Sequence, residues 1–297
     1  MYTLANKPEL LWSYDTCDND QGVVAVNASP TRPMLAIPGR QAGHIQLIEL
    51  RPSRDVKQPN PASIVQAHTS ALACLALSSD GRRLASASIK GTLVRIFDTL
   101  NGQLIAELRR GSDQAWIWSL AFNGDASRLA VASDKGTVHI FNVFQHIRPL
   151  LTEKEPMQEW TSIDPDLADI ESMPTSIYST SAPQRIQQLS QHVVERFMKQ
   201  ASPRHPSSLN RQSSLSFMKA LLPKYFSSEW SFAYARLLSP ECRCVCAFGA
   251  DDCSILVLTD DGCYYKFLLN KDLGGECLRI AFHRFLEDLE DVSAHCV

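Results

Sequence analysis

One 21-residue stretch occurs twice in this chain, and it constrains the fold more than any other feature. Residues 78–98 read SSDGRRLASASIKGTLVRIFD, and residues 122–142 read FNGDASRLAVASDKGTVHIFN. Leu84 corresponds to Leu129, which lies 45 positions later. In both copies, short apolar and β-branched runs are separated by turn-forming pairs such as Lys-Gly. The chain therefore repeats a unit of short strands joined by tight turns.

The period of this repeat identifies an architecture. About 45 residues is the length of a WD40-type propeller blade, which has four strands. Weaker copies of the unit occupy residues 22–68 and 243–286. The sequence thus predicts an all-β propeller with about four blades. The first residues, MYTLANKPELLWSYDT, look like the last one or two strands of another blade. We therefore expect residues 1–143 to hold a blade remnant and then three blades, the third incomplete.

A long connection, residues 144–228, interrupts the third blade. Residues 153–171 carry seven acids and one lysine, whereas residues 172–228 carry seven bases and one glutamate. The Ser, Pro and Gln content predicts disorder over most of the connection. Residues 183–200 and 213–226 have apolar side chains at helical or clustered spacing, and either piece could lie on a membrane or pack on the propeller wall. Residues 229–286 then complete the third and fourth blades, and residues 287–297 form a tail.

Overall charge excludes some functions. The formal net charge is -3, so the chain has no general attraction to nucleic acid, and any anion must be bound by a local patch. No apolar run approaches the roughly 18 residues of a membrane-spanning helix, and the start of the chain lacks a secretory leader pattern. We predict a cytosolic or peripheral protein.

Cysteines raise the question of a metal site. Cys242, Cys244 and Cys246 alternate, which places all three on one face of a strand. Zinc sites usually show two-residue gaps and a second ligand pair, and both features are missing here. We therefore predict reduced cysteines that act as small apolar side chains, with no metal and no cofactor.

Two consecutive arginines end the strand LIAELRR, residues 104–110, which is the outer strand of the blade formed by residues 71–110. Neighbouring strand residues point to opposite faces, so Arg109 and Arg110 should reach two different grooves. The alternative is that both are solvated charges that protect the outer edge from aggregation. The first groove should collect His68, Ser86, Ser88, Gly91, Thr92 and Arg95 around Arg109, and the second should collect Gly111, Ser133, Thr137 and His139 around Arg110.

The composition of these grooves indicates a ligand. Hydroxyls, imidazoles and a guanidinium fork match the oxygens of a phosphate monoester, each of which accepts several hydrogen bonds. Singly, each residue has an ordinary structural role, and the signal is the duplication of the set around two arginines. An enzyme is not expected: SFMK, residues 216–219, has a serine-lysine spacing but lacks companion motifs, and no GxxxxGK[ST], HExxH or GxSxG pattern occurs.

The motif Leu108-Arg109-Arg110-Gly111, together with SDKGTVHIF and LPKYFSSEWSFAYA, resembles the PROPPIN family of phosphoinositide-binding, seven-bladed propellers. The resemblance implies that the blades here correspond to the fourth to seventh, with the early blades missing. It implies recognition of phosphatidylinositol 3-phosphate and phosphatidylinositol 3,5-bisphosphate in autophagosome formation, with one arginine serving each site. It also implies a cytoplasmic protein that is recruited peripherally to preautophagosomal, endosomal or lysosomal membranes.

Two further expectations follow from the resemblance. A rod-shaped lipid-transfer protein of autophagy is expected to dock mainly on the early blades, so that contact would be weakened or lost here. The long connection corresponds to a loop that inserts into membranes in the family, and its candidate inserting residues are Phe217, Met218, Lys219, Leu221 and Leu222. The rival function is a WD-repeat scaffold that binds only proteins, since propellers host many functions.

Overall fold

A computed structural model describes residues 6–27, 29–50, 61–143 and 229–285, and all regular secondary structure in these ranges is β-strand. Sixteen of the eighteen strands form four antiparallel sheets of four, as the repeat predicts. Blade 1 consists of β1 (Ala25–Val26), β2 (Met34–Pro38), β3 (His44–Glu49) and β4 (Ala62–Gln66), and blade 2 of β5 (Leu72–Leu77), β6 (Arg83–Ser88), β7 (Leu93–Asp98) and β8 (Leu104–Arg109).

Blades 3 and 4 follow the same order, except that the long connection separates the third and fourth strands of blade 3. Blade 3 consists of β9 (Ile117–Phe122), β10 (Arg128–Ser133), β11 (Thr137–Asn142) and β13 (Ala233–Arg236), and blade 4 of β14 (Cys244–Phe248), β15 (Ser254–Thr259), β16 (Cys263–Leu268) and β18 (Leu278–Arg284). The all-β propeller prediction is confirmed.

Two short strands connect neighbouring blades at their outer edges. β12 (Glu229–Trp230) pairs in parallel with β8, and the chain then enters β13 of the next blade. β17 (Gly275–Glu276) pairs in parallel with β13, and the chain then enters β18. We call these two strands the cap strands, because each covers the outer edge of the preceding blade.

Apolar side chains fill the space between consecutive blades. Alternation in β6 and β10 sends one row of side chains to each neighbouring blade. Leu108 of blade 2 packs with Val131 and Phe141 of blade 3, and all three are fully buried. Leu84 and Phe97, which lie on the other face of blade 2, pack with blade 1. Each blade thus directs one row of side chains toward each of its neighbours. Two consecutive blades therefore enclose one groove between their facing rows.

Arginines also tie consecutive blades together. Arg32 Nη2 donates to the Thr99 carbonyl of blade 2 at 3.4 Å, and Arg83 Nη1 donates to the Ala126 carbonyl of blade 3 at 2.9 Å. Arg128 Nη2 lies 3.5 Å from the Lys271 carbonyl of blade 4. All three arginines lie at or just before the first residue of the second strand of their blade. This is the end of each blade that lies farthest from Arg109 and Arg110.

The opening segment differs from expectation. Residues 6–16 contain one isolated bridge, at Leu10, and no strand, so the prediction of one or two blade strands is wrong for these residues. The segment contacts blade 1 by other means: the Gln46 amide donates to the Asp15 carbonyl at 2.7 Å, and the Cys17 amide donates to Gly39 at 2.7 Å. The two contacts therefore involve the side chain of Gln46 and the carbonyl of Gly39, and they do not form the continuous backbone pairing of a β-strand.

The cysteines of β14 are packing residues. Cys244 and Cys246 lie in the apolar cluster between blades 3 and 4, and burial raises the pKa of each thiol to about 12. Cys242 is partly exposed. The described residues hold no group of three or more His, Cys, Asp or Glu side chains that could bind a metal ion. No helix in this part of the chain is long and apolar enough to cross a bilayer.

Candidate functional site

Arg109 and Arg110 lie at the end of β8 and face different grooves. Leu108 packs toward blade 3, so alternation directs Arg109 toward blade 1 and Arg110 toward blade 3. The Arg110 amide continues the ladder by donating to Thr92 at 3.0 Å. The two arginines are only 8% and 7% exposed. The alternative prediction of solvated edge charges is therefore wrong, because the surrounding strands cover both side chains.

The groove between blades 1 and 2, which we call groove one, contains His68 and Ser86 in direct contact. The Nε2 atom of His68 lies 2.9 Å from the Ser86 hydroxyl, which is fully buried. Burial, together with the Arg95 charge, lowers the pKa of His68 to about 4, and these two effects outweigh the opposing effects of Ser86 and Glu107. The imidazole is therefore neutral at pH 7, and the hydroxyl of Ser86 orients it.

Arg95 is already engaged by a residue that the sequence analysis missed. Its Nε and Nη2 atoms both lie 2.9 Å from Oε2 of Glu107, and Nη1 donates to the Ala67 carbonyl at 2.6 Å. Glu107 lies opposite Arg95 on the neighbouring strand, two residues before Arg109 and therefore on the same face. The two-residue spacing between Glu107 and Arg109 is the sequence feature that could have identified Glu107 as a groove residue. Groove one thus carries its own counter-charge.

Gly91 has a different role from the one expected. It has a φ of +60°, and a Cβ atom there would lie 1.7 Å from the Ala115 carbonyl oxygen. Its own carbonyl accepts a hydrogen bond from Nε of Arg110 at 3.2 Å. The close approach that requires glycine is therefore made by the chain's own backbone, and Gly91 contacts the second arginine. Ser88 and Arg109 lie at this end of groove one, where Leu93 pairs with Arg109, and the Thr92 carbonyl accepts the hydrogen bond from the Arg110 amide.

The groove between blades 2 and 3, groove two, receives Arg110. A second hydrogen bond joins Nη2 of Arg110 to the Asp113 carbonyl. Burial lowers the pKa of Arg110, and the carboxylates of Asp134 and Asp113 oppose that shift. Gly111 follows directly, and its carbonyl lies 3.5 Å from Nη1 of Arg109. The two arginines thus order the turn that joins blades 2 and 3.

His139 lies in groove two between two hydroxyls. Its Nδ1 atom is 3.1 Å from Ser231 Oγ, and its Nε2 atom is 3.3 Å from Thr137 Oγ1. Burial, together with the Arg110 charge, lowers the pKa of His139 to about 4, so this imidazole is also neutral at pH 7. Ser133 pairs with Thr137, and its buried hydroxyl has no hydrogen-bond partner among the described residues. Ser133, Thr137 and His139 are therefore brought together on the side of blade 3 that faces Arg110.

Groove two contains further basic and aromatic residues that the sequence analysis did not assign. A cavity of about 590 Å³ is lined by Lys135, Tyr234 and Arg236 together with Thr137 and His139. The Arg236 guanidinium lies 5.3 Å from the Tyr234 ring centroid and 3.5 Å from Oε1 of Glu276. Arg236 pairs with Thr137 as Arg109 pairs with Leu93. Its strand follows the long connection, so no sequence register revealed the correspondence.

The candidate inserting residues Phe217, Met218, Lys219, Leu221 and Leu222 lie outside the described residues, as do the predicted helical pieces of the connection.

Four-stranded blades with arginine-centred grooves between them define a β-propeller of the WD40 type. A sequence profile described as PROPPIN matches residues 8–162, just over half of the chain. The chain belongs to the PROPPIN family.

Relatives cover the chain to different extents. SVP1-like protein 2 of Pichia angusta is 43% identical over 143 residues, which span 48% of this chain and 39% of the relative. Autophagy-related protein 18 of Yarrowia lipolytica is 28% identical over 319 residues, which span 98% of this chain and 71% of the relative. This chain thus spans about two fifths of the Pichia protein. The Yarrowia name associates the family with autophagy.

Solved structures support the same fold. Hsv2 of Kluyveromyces lactis has a TM-score of 0.54 and 21% identity over 88% of this chain and 62% of that structure. A complex of KlAtg21 with the coiled-coil of AgAtg16 has a TM-score of 0.52 and 17% identity over 89% of this chain and 58% of that one. At these identities the likeness concerns the propeller architecture.

Proposed function

We propose that this chain binds phosphoinositides at membrane surfaces through grooves one and two. The observation that carries the proposal is that two consecutive buried arginines face neighbouring grooves, each of which also holds hydroxyls and a neutral histidine. The ligands are phosphatidylinositol 3-phosphate and phosphatidylinositol 3,5-bisphosphate. Groove one uses His68, Ser86, Ser88, Thr92, Arg95 and Arg109, and groove two uses Arg110, Gly111, Ser133, Thr137 and His139. Gly91, expected in groove one, instead supports Arg110 through its carbonyl.

The chemistry in groove one is an exchange of partners. A phosphate dianion accepts directional hydrogen bonds from Arg109 and from neighbouring hydroxyls, and charge-assisted bonds of this kind are the stronger ones. Arg95 can join only if its fork turns from Glu107 toward the phosphate. Ser86 acts by fixing the His68 ring, since the contact between them uses its hydroxyl.

In groove two the exchange involves weaker partners. Arg110 donates to backbone carbonyls, which carry no net charge, and a phosphate replaces them with a charged acceptor. Arg236 and Lys135 add positive charge at the exposed rim of the cavity, and Glu276 competes for Arg236. Each neutral histidine can donate one hydrogen bond, and a nearby dianion favours its protonation.

Two weak sites on one molecule produce strong membrane attachment. Once one headgroup is bound, the second encounter is intramolecular and benefits from a raised effective concentration. The protein acts in the cytoplasm and attaches peripherally to preautophagosomal, endosomal or lysosomal membranes. The name of the Yarrowia relative supports the assignment to autophagy.

The basic part of the long connection, residues 172–228, docks on the bilayer once the grooves are filled. Each basic residue near an anionic leaflet contributes about 1 kcal/mol, and each buried Leu or Phe contributes roughly 1.5 to 3 kcal/mol before ordering costs. Replacing Phe217, Leu221 and Leu222 with aspartate should shorten membrane residence and leave the affinity for a soluble headgroup unchanged. Equal loss of both would mean that these side chains stabilise the propeller instead.

Liposome co-sedimentation tests the central proposal. The chain should sediment with vesicles containing phosphatidylinositol 3-phosphate and remain in the supernatant with matched vesicles that lack it. The double variant Arg109→Thr, Arg110→Thr should lose binding, each single variant should keep part of it, and Arg82→Thr, at an exposed position on the same blade, should bind like the unchanged chain. Full binding by a folded double variant contradicts the proposal.

A protein-interaction scaffold is the second candidate. It is favoured by the Arg95–Glu107 ion pair, which already satisfies one predicted phosphate ligand. A structural neighbour is a complex with a coiled-coil partner, which supports the same possibility. Sedimentation that does not depend on the phosphoinositide favours the scaffold.

A further inference from the structure

The outer edges of blades 2 and 3 each accept a short parallel strand. Glu229 and Trp230 of the first cap strand pair with Leu108 and Arg109, and Gly275 and Glu276 of the second pair with β13. Such an addition satisfies backbone groups that an edge strand would otherwise leave open. The same type of edge therefore receives the same type of strand twice in this molecule.

Each cap strand brings a glutamate to a basic edge. Glu276 lies 3.5 Å from Nε of Arg236 and accepts a hydrogen bond from the Tyr234 hydroxyl at 3.3 Å. Glu229 is 8% exposed and lies opposite Leu108, one position from Arg109. In the second cap strand the glutamate thus complements an arginine of the outer strand. In the first, Glu229 shares the face of Leu108, which by alternation is also the face of Arg110.

β18 is the corresponding outer strand of blade 4, and it has the same features without a cap among the described residues. It runs for seven residues and pairs with β16 on its inner side. Arg284 lies opposite Cys263, the register position that Arg236 occupies opposite Thr137. Arg279, His283 and Arg284 are exposed, and residues 277–286 contain no acid.

Apolar side chains accompany these charges. Ile280 is 39% exposed, Phe282 is 40% exposed, and Phe285, directly after the strand, is 58% exposed. The outer strand of blade 1, β4, also has no cap among the described residues, and its sequence ASIVQ has no charged residue. An exposed strand that combines cations with aromatic side chains fits an extended acidic ligand that also carries an apolar side chain, as the Glu229-Trp230 cap does.

We propose that the outer edge of β18 binds a partner's acidic segment, which adds to blade 4 as a parallel β-strand. Main-chain hydrogen bonds provide the attachment in this mode of recognition, and side chains at alternate positions provide specificity. Arg279 and Arg284 select glutamate or aspartate in the partner, and Phe282 and Phe285 contact a neighbouring apolar residue. This site is independent of grooves one and two.

The probe is a synthetic peptide of residues 227–233, SSEWSFA, with capped ends, added to the complete chain. Hydrogen exchange should slow in residues 278–284, and binding should saturate with a Kd below about 1 mM. The same peptide with Glu229→Gln should bind about twofold to fivefold more weakly, because one exposed ion pair is lost. The double variant Arg279→Glu, Arg284→Glu should weaken binding roughly tenfold through charge repulsion, whereas Arg82→Glu should have no effect.

Three results would overturn the proposal. The first is that residues 278–284 show no protection at a saturating peptide concentration, while the thermal melt shows a folded chain. The second is that the glutamate and glutamine peptides bind equally and the double variant binds as well as the unchanged chain. The third is that the double variant loses binding to anionic vesicles without phosphoinositide and keeps peptide binding, which would make β18 a membrane contact.

Discussion

Grooves one and two derive from the same repeat, yet they hold their cations differently. In groove one, Arg95 is held by Glu107 in an ion pair whose side chains are 28% and 23% exposed. In groove two, His139 occupies the register position of Arg95 and Tyr234 that of Glu107, so no carboxylate lies at that point. The ion pair that groove two does contain, Arg236–Glu276, lies at the rim, and its side chains are 66% and 55% exposed.

This difference indicates how strongly each groove resists a ligand. Solvent screens exposed ion pairs, which contribute little, whereas a half-buried pair is costly to separate. A phosphate can therefore displace Glu276 more easily than Glu107. The two grooves therefore contain similar residue types but should differ in affinity, and we expect groove two to bind the headgroup more tightly.

The largest effect should come from the two hairpin glycines at equivalent positions, Gly91 of blade 2 and Gly136 of blade 3. Gly91→Ala should lower the free energy of unfolding by about 3 kcal/mol, because the new Cβ would lie 1.7 Å from the Ala115 oxygen at a φ of +60°. Gly136→Ala should cost less, about 2 kcal/mol, because the overlap with Pro240 Cα is shallower at 2.5 Å. Urea denaturation of both variants measures the difference. If the two substitutions lower the free energy of unfolding equally, or Gly136→Ala lowers it more, the depth of the overlap does not determine the loss of stability.

Lowering the pH should affect the two grooves alike. The pKa of His68 and of His139 is about 4 in the folded chain, and about 6.5 is expected when it is unfolded. The unfolded chain therefore binds more protons between these values, and stability falls as the pH drops from 6.5 toward 4. The loss should be about 2 kcal/mol per histidine at pH 5.

Denaturation at pH 7 and pH 5 checks this expectation with His68→Gln and His139→Gln. Each substitution should remove a similar share of the pH-dependent loss, because glutamine can still hydrogen-bond but takes up no proton. If the double variant retains the full pH dependence, other groups titrate and the two histidines are not responsible.

The smallest effect should come from moving the counter-charge. Glu107→Gln should strengthen headgroup binding in groove one about fivefold, since Arg95 no longer has a competing carboxylate. Tyr234→Glu should weaken groove two by a similar factor, because it creates that carboxylate. Calorimetry with soluble headgroup measures each change, with groove one tested in an Arg110→Thr background and groove two in an Arg109→Thr background. Weaker binding by Glu107→Gln would mean that Glu107 positions Arg95 for the ligand.

Sequence analysis could predict the blades and the opposite orientation of the two arginines, because a 45-residue period and strand alternation are local properties of the chain. It missed Arg236 and Tyr234, whose strand follows the long connection and whose register is set by pairing with β11. It also placed Gly91 near a ligand, whereas the close approach involves Ala115, 24 positions away in sequence. Contacts between segments that are distant in sequence leave no pattern in neighbouring residues. For this reason the sequence did not predict the positions of Arg236 and Tyr234 or the approach of Gly91 to Ala115.

The most direct test of two separate headgroup grooves is the stoichiometry of binding. Titration calorimetry with soluble inositol 1,3-bisphosphate should give two sites on the unchanged chain, with the tighter site lost in Arg110→Thr and the weaker site lost in Arg109→Thr. A single site that disappears in either variant would contradict the account, because it would mean that both arginines serve one pocket.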